Sequence, residues 1–263
     1  MTIIQAIILG ITQGLAEFLP ISSSGHLVLL KDIFGIDEGA LTFTILLHIA
    51  TLIPVFVVFW KDIVALIKNP FSKFTYLLVA ATVPAVIVAL LLNDLIDGLF
   101  SGGIFLAIGF FLTGVFLMYA DKAGEQVKEG GKTIDKMSYV DALVIGVMQA
   151  VAIAPGISRS GSTITGALSR KLDRTAAARF SFLLSIPAIL GGAVLEIAGI
   201  VTGSVDIGHF ELLPTAAGFL AAMVAGYFAI RFMLKLIKSC KLRYFSYYVF
   251  ALSAALLIDI IMG

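Results

Sequence analysis

Cysteine occurs once in this chain, at Cys240, which excludes an internal disulfide and any cysteine-built metal cluster. Imidazoles are nearly as scarce, being confined to His26, His48 and His209. Charge is low as well: Asp, Glu, Lys and Arg make up 13% of the 263 residues, against roughly 25% in soluble domains. The net charge of +1 says nothing about nucleic acid, and no basic tail argues for it as a partner. Strict polar/apolar alternation is missing, which argues against a membrane β-barrel. What remains is apolar: 60% hydrophobic residues and a mean hydropathy of +1.07. The long runs approach the roughly 20 residues of a helical bilayer crossing. The expectation is an all-α polytopic membrane protein. The N-terminus turns apolar at Ile3 without a basic leader, so it is read as part of the fold.

Two polar stretches interrupt the apolar background. Gln13 to His26 contains Glu17, Pro20, Ser22, Ser23, Ser24, Gly25 and His26; Gln149 to Thr163 contains Pro155, Gly156, Ser158, Arg159, Ser160 and Thr163. They align without a gap: Gly10 on Gly146, Gln13 on Gln149, Ser22 on Ser158, Ser24 on Ser160 and Gly25 on Gly161, an offset of 136 (146 − 10). At an offset of 137, Phe43, Leu46, Leu47 and Ile49 fall on Phe180, Leu183, Leu184 and Ile186. The chain therefore reads as one membrane domain, 1–263, made of repeats 1–120 and 137–263 joined by a polar linker, 121–136.

Proline and serine break each polar stretch near the middle of a membrane-length segment. The freed backbone groups cannot be satisfied by lipid, so such breaks lie inside protein or line a cavity. Residues 3–34 and 138–170 are expected to be re-entrant helix-loop-helix hairpins. The apolar runs 39–60, 74–93, 102–120, 176–200, 212–234 and 244–262 supply six crossings. With this topology, 16 of the 18 Lys and Arg residues fall in 61–73, 121–136, 169–179 and 231–243, all on one face, while 93–101 and 202–211 have none. The positive-inside rule makes that face cytoplasmic and both termini extracytoplasmic. Three crossings per half is an odd number, so the repeats are inverted. Trp60 and the group Tyr244, Phe245, Tyr247 and Tyr248 suit the interfaces, and small residues near Gly109 and Gly114 offer a face for a homodimer.

Glu17 and Arg159 are the charges this topology leaves deepest in the membrane, where ionisable groups pair, line a pathway or serve a ligand. A Glu17–Arg159 salt bridge that merely locks the hairpins would leave the surrounding hydroxyls and His26 unused. Arg159 instead offers a planar fork for phosphate oxygens, with hydroxyls from Ser158, Ser160 and Thr163 beside it. Ser22, Ser23 and Ser24 are nucleophile candidates, and His26 a general acid or base. Glu17, with Gln13 one turn earlier on the same helix face, is suited to a divalent cation, to orienting His26, or to both. His48 lies in an apolar helix and reads first as a packed, hydrogen-bonded residue.

Gln13-x-x-x-Glu17, Pro20-x-Ser22-Ser23-x-Gly25-His26 and Pro155-Gly156-x-Ser158-Arg159-Ser160-x-x-Thr163 resemble the two signature regions of the undecaprenyl-pyrophosphate phosphatase, or bacitracin-resistance, family. The resemblance spans nearly the whole chain. It implies an enzyme of the bacterial plasma membrane that hydrolyses undecaprenyl pyrophosphate to undecaprenyl phosphate and inorganic phosphate, renewing the lipid carrier for peptidoglycan. It implies Mg2+ or Ca2+ as a helper, and a site formed by Gln13, Glu17, Ser22, Ser23, His26, Ser158, Arg159, Ser160 and Thr163. Gln13 stands where the family has Glu or Gln, and Ser24 where some members have Thr. The expected catalytic group is Glu17, Ser23, His26 and Arg159, with Ser22, Ser24, Ser158, Ser160 and Thr163 on the phosphate. Either Ser23 attacks with His26 handling the proton, or His26 is itself the nucleophile. Inverted repeats with broken helices are also transporter architecture, so a polyprenyl-phosphate translocator is the rival expectation. Ser24-Gly25-His26 is similar to an element of the acid-phosphatase-like lipid phosphatases, but a second histidine in an arginine-containing motif is missing from the sequence.

Overall fold

The computed structural model describes residues 1–36, 40–92, 98, 103–127, 130–203, 211–239 and 241–262. Most of 93–101 and 202–211, together with His209 and Cys240, lies outside the described residues. Eleven α-helices are found among those described: α1 Ile3–Phe18, α2 Ser23–Ile33, α3 Ala40–Val58, α4 Trp60–Lys68, α5 Lys73–Leu91 and α6 Gly103–Gln126, then α7 Tyr139–Val151, α8 Arg159–Ser169, α9 Arg174–Val201, α10 Leu212–Ser239 and α11 Arg243–Met262. Helices α5, α6, α9, α10 and α11 are long and apolar enough to cross a membrane; α3 with α4 makes a sixth candidate, bent by 85°. The protein is thus all-helical with five or six candidate crossings.

Two boundaries differ from the sequence expectation, each for a local reason. Helix α6 runs on to Gln126, into the stretch expected as linker. Asp121 there is buried, accepting from the Leu242 amide at 2.8 Å and from Arg243 Nε at 2.6 Å, so it anchors the helix instead of ending it. Within 61–73, expected as a connection, lies α4. Its Asp62 sits in the first turn and pairs with Arg179, while Ile63 is buried and Trp60 and Ile67 face outward. Acidic residues in a first turn complement the helix dipole.

Buried carboxylates tie together the ends rich in Lys and Arg. Asp141 closes a capping box with Ser138 and accepts from Lys132 Nζ at 3.0 Å and Arg170 Nε at 2.8 Å. Lys132 also pairs its backbone with Lys171 and Asp173. The largest apolar core gathers Phe18, Phe180 and Phe182 with Leu77, Met137, Ile145 and Ile164.

Packing between the halves is reciprocal. Helix α1 lies along α10, and α7 lies along α5. The closest approaches occur at glycines: a Cβ on Gly10 would overlap the Gly218 carbonyl, and one on Gly146 would meet the Ala81 carbonyl at 2.5 Å. Gly218 and Ala81 are 137 residues apart (218 − 81), the offset that aligns Phe43 with Phe180. Gly109 and Gly114, expected as a dimer face, are used within the chain. Gly109 packs on Pro155 and Gly156, and Gly114 on the Phe250 ring.

Candidate active site

Helix α1 ends at Phe18 because Pro20 follows, and the residue before a proline is driven out of helical geometry; Leu19 is extended, with φ −73° and ψ 142°. The chain turns through Ser22, at φ +71°, and starts α2 at Ser23. The second hairpin breaks between Val151 and Arg159, turning at Gly156 with φ +79°. Each following helix is capped by a serine at the same repeat position. Ser22 Oγ accepts from the Gly25 amide at 3.3 Å, and Ser158 Oγ from the Gly161 amide at 3.1 Å.

The two breaks meet, and their freed backbone groups find partners inside the protein. Thr113 Oγ1 on α6 donates to the Gly156 carbonyl and accepts from the Ser158 amide, both at 2.9 Å. Ser160 Oγ donates to the Leu19 carbonyl at 3.2 Å, joining one break to the other. Gly25 is needed at the junction because a Cβ would run into the Phe110 ring, 2.6 Å away.

Glu17 is the centre of the resulting network. Its Oε1 accepts from Arg159 Nη2 at 2.5 Å; its Oε2 accepts from Ser23 Oγ at 2.7 Å and from Gln13 Nε2 at 3.0 Å. His48 Nε2 is 3.9 Å from the same Oε2. Glu17 is 6% exposed, and its carboxylate is balanced by the guanidinium, as a buried charge must be. Arg159 also donates from Nη1 to the Ser181 carbonyl at 3.3 Å, which leaves further N–H groups for a ligand.

These groups line a cavity of about 240 Å³ whose polar wall is Glu17, Ser23, Ser24, His48, Ser158, Arg159 and Glu196. Ser23 and Arg159 open their helices, so the positive ends of α2 and α8 lie on this wall and favour an anion. A second cavity of about 510 Å³ adjoins it through Ala152, Ile153, Arg159, Ala188 and Gly192. Its walls are apolar, formed by α5 and α9, with Val86, Leu90, Val194 and Leu195 exposed along its length. A charged wall running into an apolar groove suits an anionic headgroup carrying a long hydrocarbon.

The remaining expected site residues make hydrogen bonds within the protein. Thr163 is fully buried, and its Oγ1 contacts Ser181 Oγ at 2.6 Å and the Arg159 carbonyl at 2.9 Å. Ser22 and Ser160, 2% and 1% exposed, cap and cross-link the breaks. His26 is absent from the cavity wall. Its Nδ1 donates to the Ser22 carbonyl at 2.7 Å, its Nε2 pairs with the Tyr248 hydroxyl at 2.7 Å, and Phe110 packs edge-on against the ring. Both ring nitrogens of His26 are thus engaged by Ser22 and Tyr248, and its hydrogen bonds do not include Ser23. The imidazole on the wall is His48, whose Nδ1 donates to the Thr44 carbonyl at 2.9 Å and whose Nε2 faces Glu17. Nothing in its local sequence distinguishes it from a packed helix residue.

Gln13 and Glu17, the expected cation ligands, offer few donors for a metal. No group of three His, Cys, Asp or Glu suited to a metal occurs among the described residues. Gln13 turns its amide nitrogen to Glu17, but its Oε1 is buried without a partner among the described residues. One carboxylate and one carbonyl oxygen fit Mg2+ or Ca2+ only as an ion held largely by phosphate oxygens.

A family model described as bacitracin resistance protein BacA matches residues 6–255. The undecaprenyl-diphosphatase of Carboxydothermus hydrogenoformans is 48% identical over 254 residues, covering 97% of this chain and 96% of its own. Undecaprenyl-diphosphatase 4 of Bacillus thuringiensis is 47% identical over 250 residues, covering 95% and 94%. The undecaprenyl-diphosphatase of Methanosphaera stadtmanae is 41% identical, covering 94% of each chain. With a family model spanning nearly its full length and relatives this similar over nearly theirs, the chain belongs to the bacitracin resistance protein BacA family.

Proposed function

We propose that this protein is an integral membrane phosphatase that hydrolyses undecaprenyl pyrophosphate to undecaprenyl phosphate and inorganic phosphate, returning the lipid carrier to cell-wall synthesis. The observation that carries this is the Ser23–Glu17–Arg159 array at the head of an apolar groove. The names of its relatives agree with it.

Ser23 Oγ attacks the terminal phosphorus while its proton passes to Glu17 Oε2, already 2.7 Å away. The bond from that phosphorus to the bridging oxygen breaks, and isoprenyl monophosphate leaves with the electron pair. Arg159 and the positive ends of α2 and α8 offset charge as it develops. Water then attacks the phosphoserine, freeing inorganic phosphate and restoring Ser23, with Glu17 and His48 available for the protons. A divalent cation brought on the pyrophosphate would add charge neutralisation, with Glu17 the carboxylate on the cavity wall available to hold it.

The reciprocal α1–α10 and α7–α5 packing supports an inverted repeat whose hairpins, 3–34 and 138–170, enter from opposite faces, the first from outside. Helices α1 and α7, of 16 and 13 residues, are short for a crossing, which supports re-entry. On that topology the basic helix ends are cytoplasmic, both termini are outside, and the apolar groove opens sideways into the outer leaflet. The same packing favours a second reading, a polyprenyl-phosphate translocator. Phosphate release from undecaprenyl or farnesyl pyrophosphate by pure protein in detergent separates the two. Lipid transfer across liposomes with no phosphate released would overturn the phosphatase assignment.

A further inference from the structure

Gln149 is 2% exposed, and neither its Oε1 nor its Nε2 has a hydrogen-bond partner among the described residues. Buried polar groups of native proteins are nearly always paired, so an amide with both ends open needs an explanation. The repeat supplies part of one. Gln13, its counterpart, satisfies its amide nitrogen on Glu17, one helical turn later. The residue at the position of Glu17 in the second hairpin is Ile153 (153 − 17 = 136), which has nothing to accept with. Gln149 has kept the amide and lost the carboxylate.

Its surroundings indicate what replaces that carboxylate. Gln149 lines the apolar groove between α5 and α9, at the end where Arg159 and Ile153 belong to both cavities. The polar cavity carries Ser23 and so takes the terminal phosphate. The groove is continuous with it and takes the hydrocarbon. The phosphate that stays on the lipid must bridge the two, and an anionic oxygen there is the acceptor that an unpaired amide N–H lacks.

We infer that Gln149 is a substrate-contacting residue whose Nε2 donates to the retained, lipid-linked phosphate, fixing the boundary between headgroup and isoprenyl chain. This rests on the phosphatase assignment but concerns a different contact from the Ser23–Glu17–Arg159 array. Gln149 holds the leaving side of the molecule, so it serves substrate and lipid monophosphate alike and leaves free inorganic phosphate untouched.

The test uses the full-length protein in detergent, with farnesyl pyrophosphate as substrate and farnesyl monophosphate or inorganic phosphate as inhibitor. In Gln149→Leu, KM for farnesyl pyrophosphate and Ki for farnesyl monophosphate should each rise about tenfold, the order expected for one hydrogen bond to a charged group. Ki for inorganic phosphate should stay at the wild-type value. Gln149→Glu, which keeps the size of the side chain but faces phosphate with a like charge, should weaken both lipid ligands further. It decides the matter should the leucine variant fail to fold. A folded variant with wild-type KM and wild-type monophosphate Ki would overturn the proposal, as would an equal change in the Ki of inorganic phosphate. Farnesyl monophosphate binding, read as a rise in melting temperature, needs no turnover. Should wild type bind it through Gln149 yet release no phosphate, the contact would stand and the phosphatase assignment would fall.

Discussion

Ser23 Oγ donates to Glu17 Oε2 at 2.7 Å, across the break between α1 and α2, while Arg159 from the other hairpin holds the opposite oxygen of the same carboxylate. In the proposed reaction this hydroxyl is the nucleophile, and the buried carboxylate bonded to it is the proton acceptor. Ser24 lines the same wall without that bond, its hydroxyl lying 3.3 Å from Ser22 Oγ. Ser24→Ala is therefore expected to keep kcat within roughly tenfold of wild type, well above Ser23→Ala, since proton transfer alone contributes about 10²–10⁴. Steady-state phosphate release checks the ranking.

Replacing Arg159 removes the counter-charge of Glu17 and, on the proposed mechanism, a phosphate ligand. Arg159→Ala should lower kcat/KM about 10²–10³-fold, the size of one lost transition-state donor. Arg159→Lys should recover only part of this, because an ammonium lacks the planar fork that reaches Glu17 and Ser181 together. Glu17→Ala should also remove most turnover in a protein that still folds. Melting curves alongside the rates separate folding from chemistry.

The two histidines should behave differently. His48→Asn should lower kcat more than His26→Ala does, since the His48 Nε2 faces the cavity and Glu17. His26 acts through the Ser22 carbonyl and Tyr248. On the proposed mechanism it positions Ser22, so His26→Ala should lower kcat without altering the shape of the pH profile. Tyr248→Phe, which cuts only the outer bond, should have the smaller effect.

Reciprocal packing makes a prediction about stability. Gly10→Leu and Gly146→Leu each force a side chain into a facing backbone carbonyl. Overpacking of this kind costs about 1–3 kcal/mol or more, so both variants should lose several degrees in melting temperature. A harmless substitution at either glycine would mean that the close helix contact there is wrong.

Much of the helical layout was legible in the sequence. The long apolar runs located the long helices to within a few residues, and the gapless repeat through Gln13 and Gln149 located the two breaks. Serine is where legibility stopped. Ser22, Ser158 and Ser160 look alike as letters, yet their hydroxyls cap helices and join the breaks, because an N-cap demands the same residue type that a phosphate would. Asp121 looks like linker in sequence because its burial depends on Leu242 and Arg243 folding against it. His48 could not be assigned, being 31 residues from Glu17 (48 − 17) on a helix whose sequence is otherwise apolar. The unpaired amide of Gln149 has no signature in sequence beyond the Ile at position 153.

The most direct measurement is phosphate release from undecaprenyl pyrophosphate by wild type and Ser23→Ala, each purified in detergent and shown to be folded. Wild type should release one phosphate per molecule and leave undecaprenyl phosphate, while Ser23→Ala should fall by at least about 10³-fold. Wild-type turnover by Ser23→Ala would contradict the account.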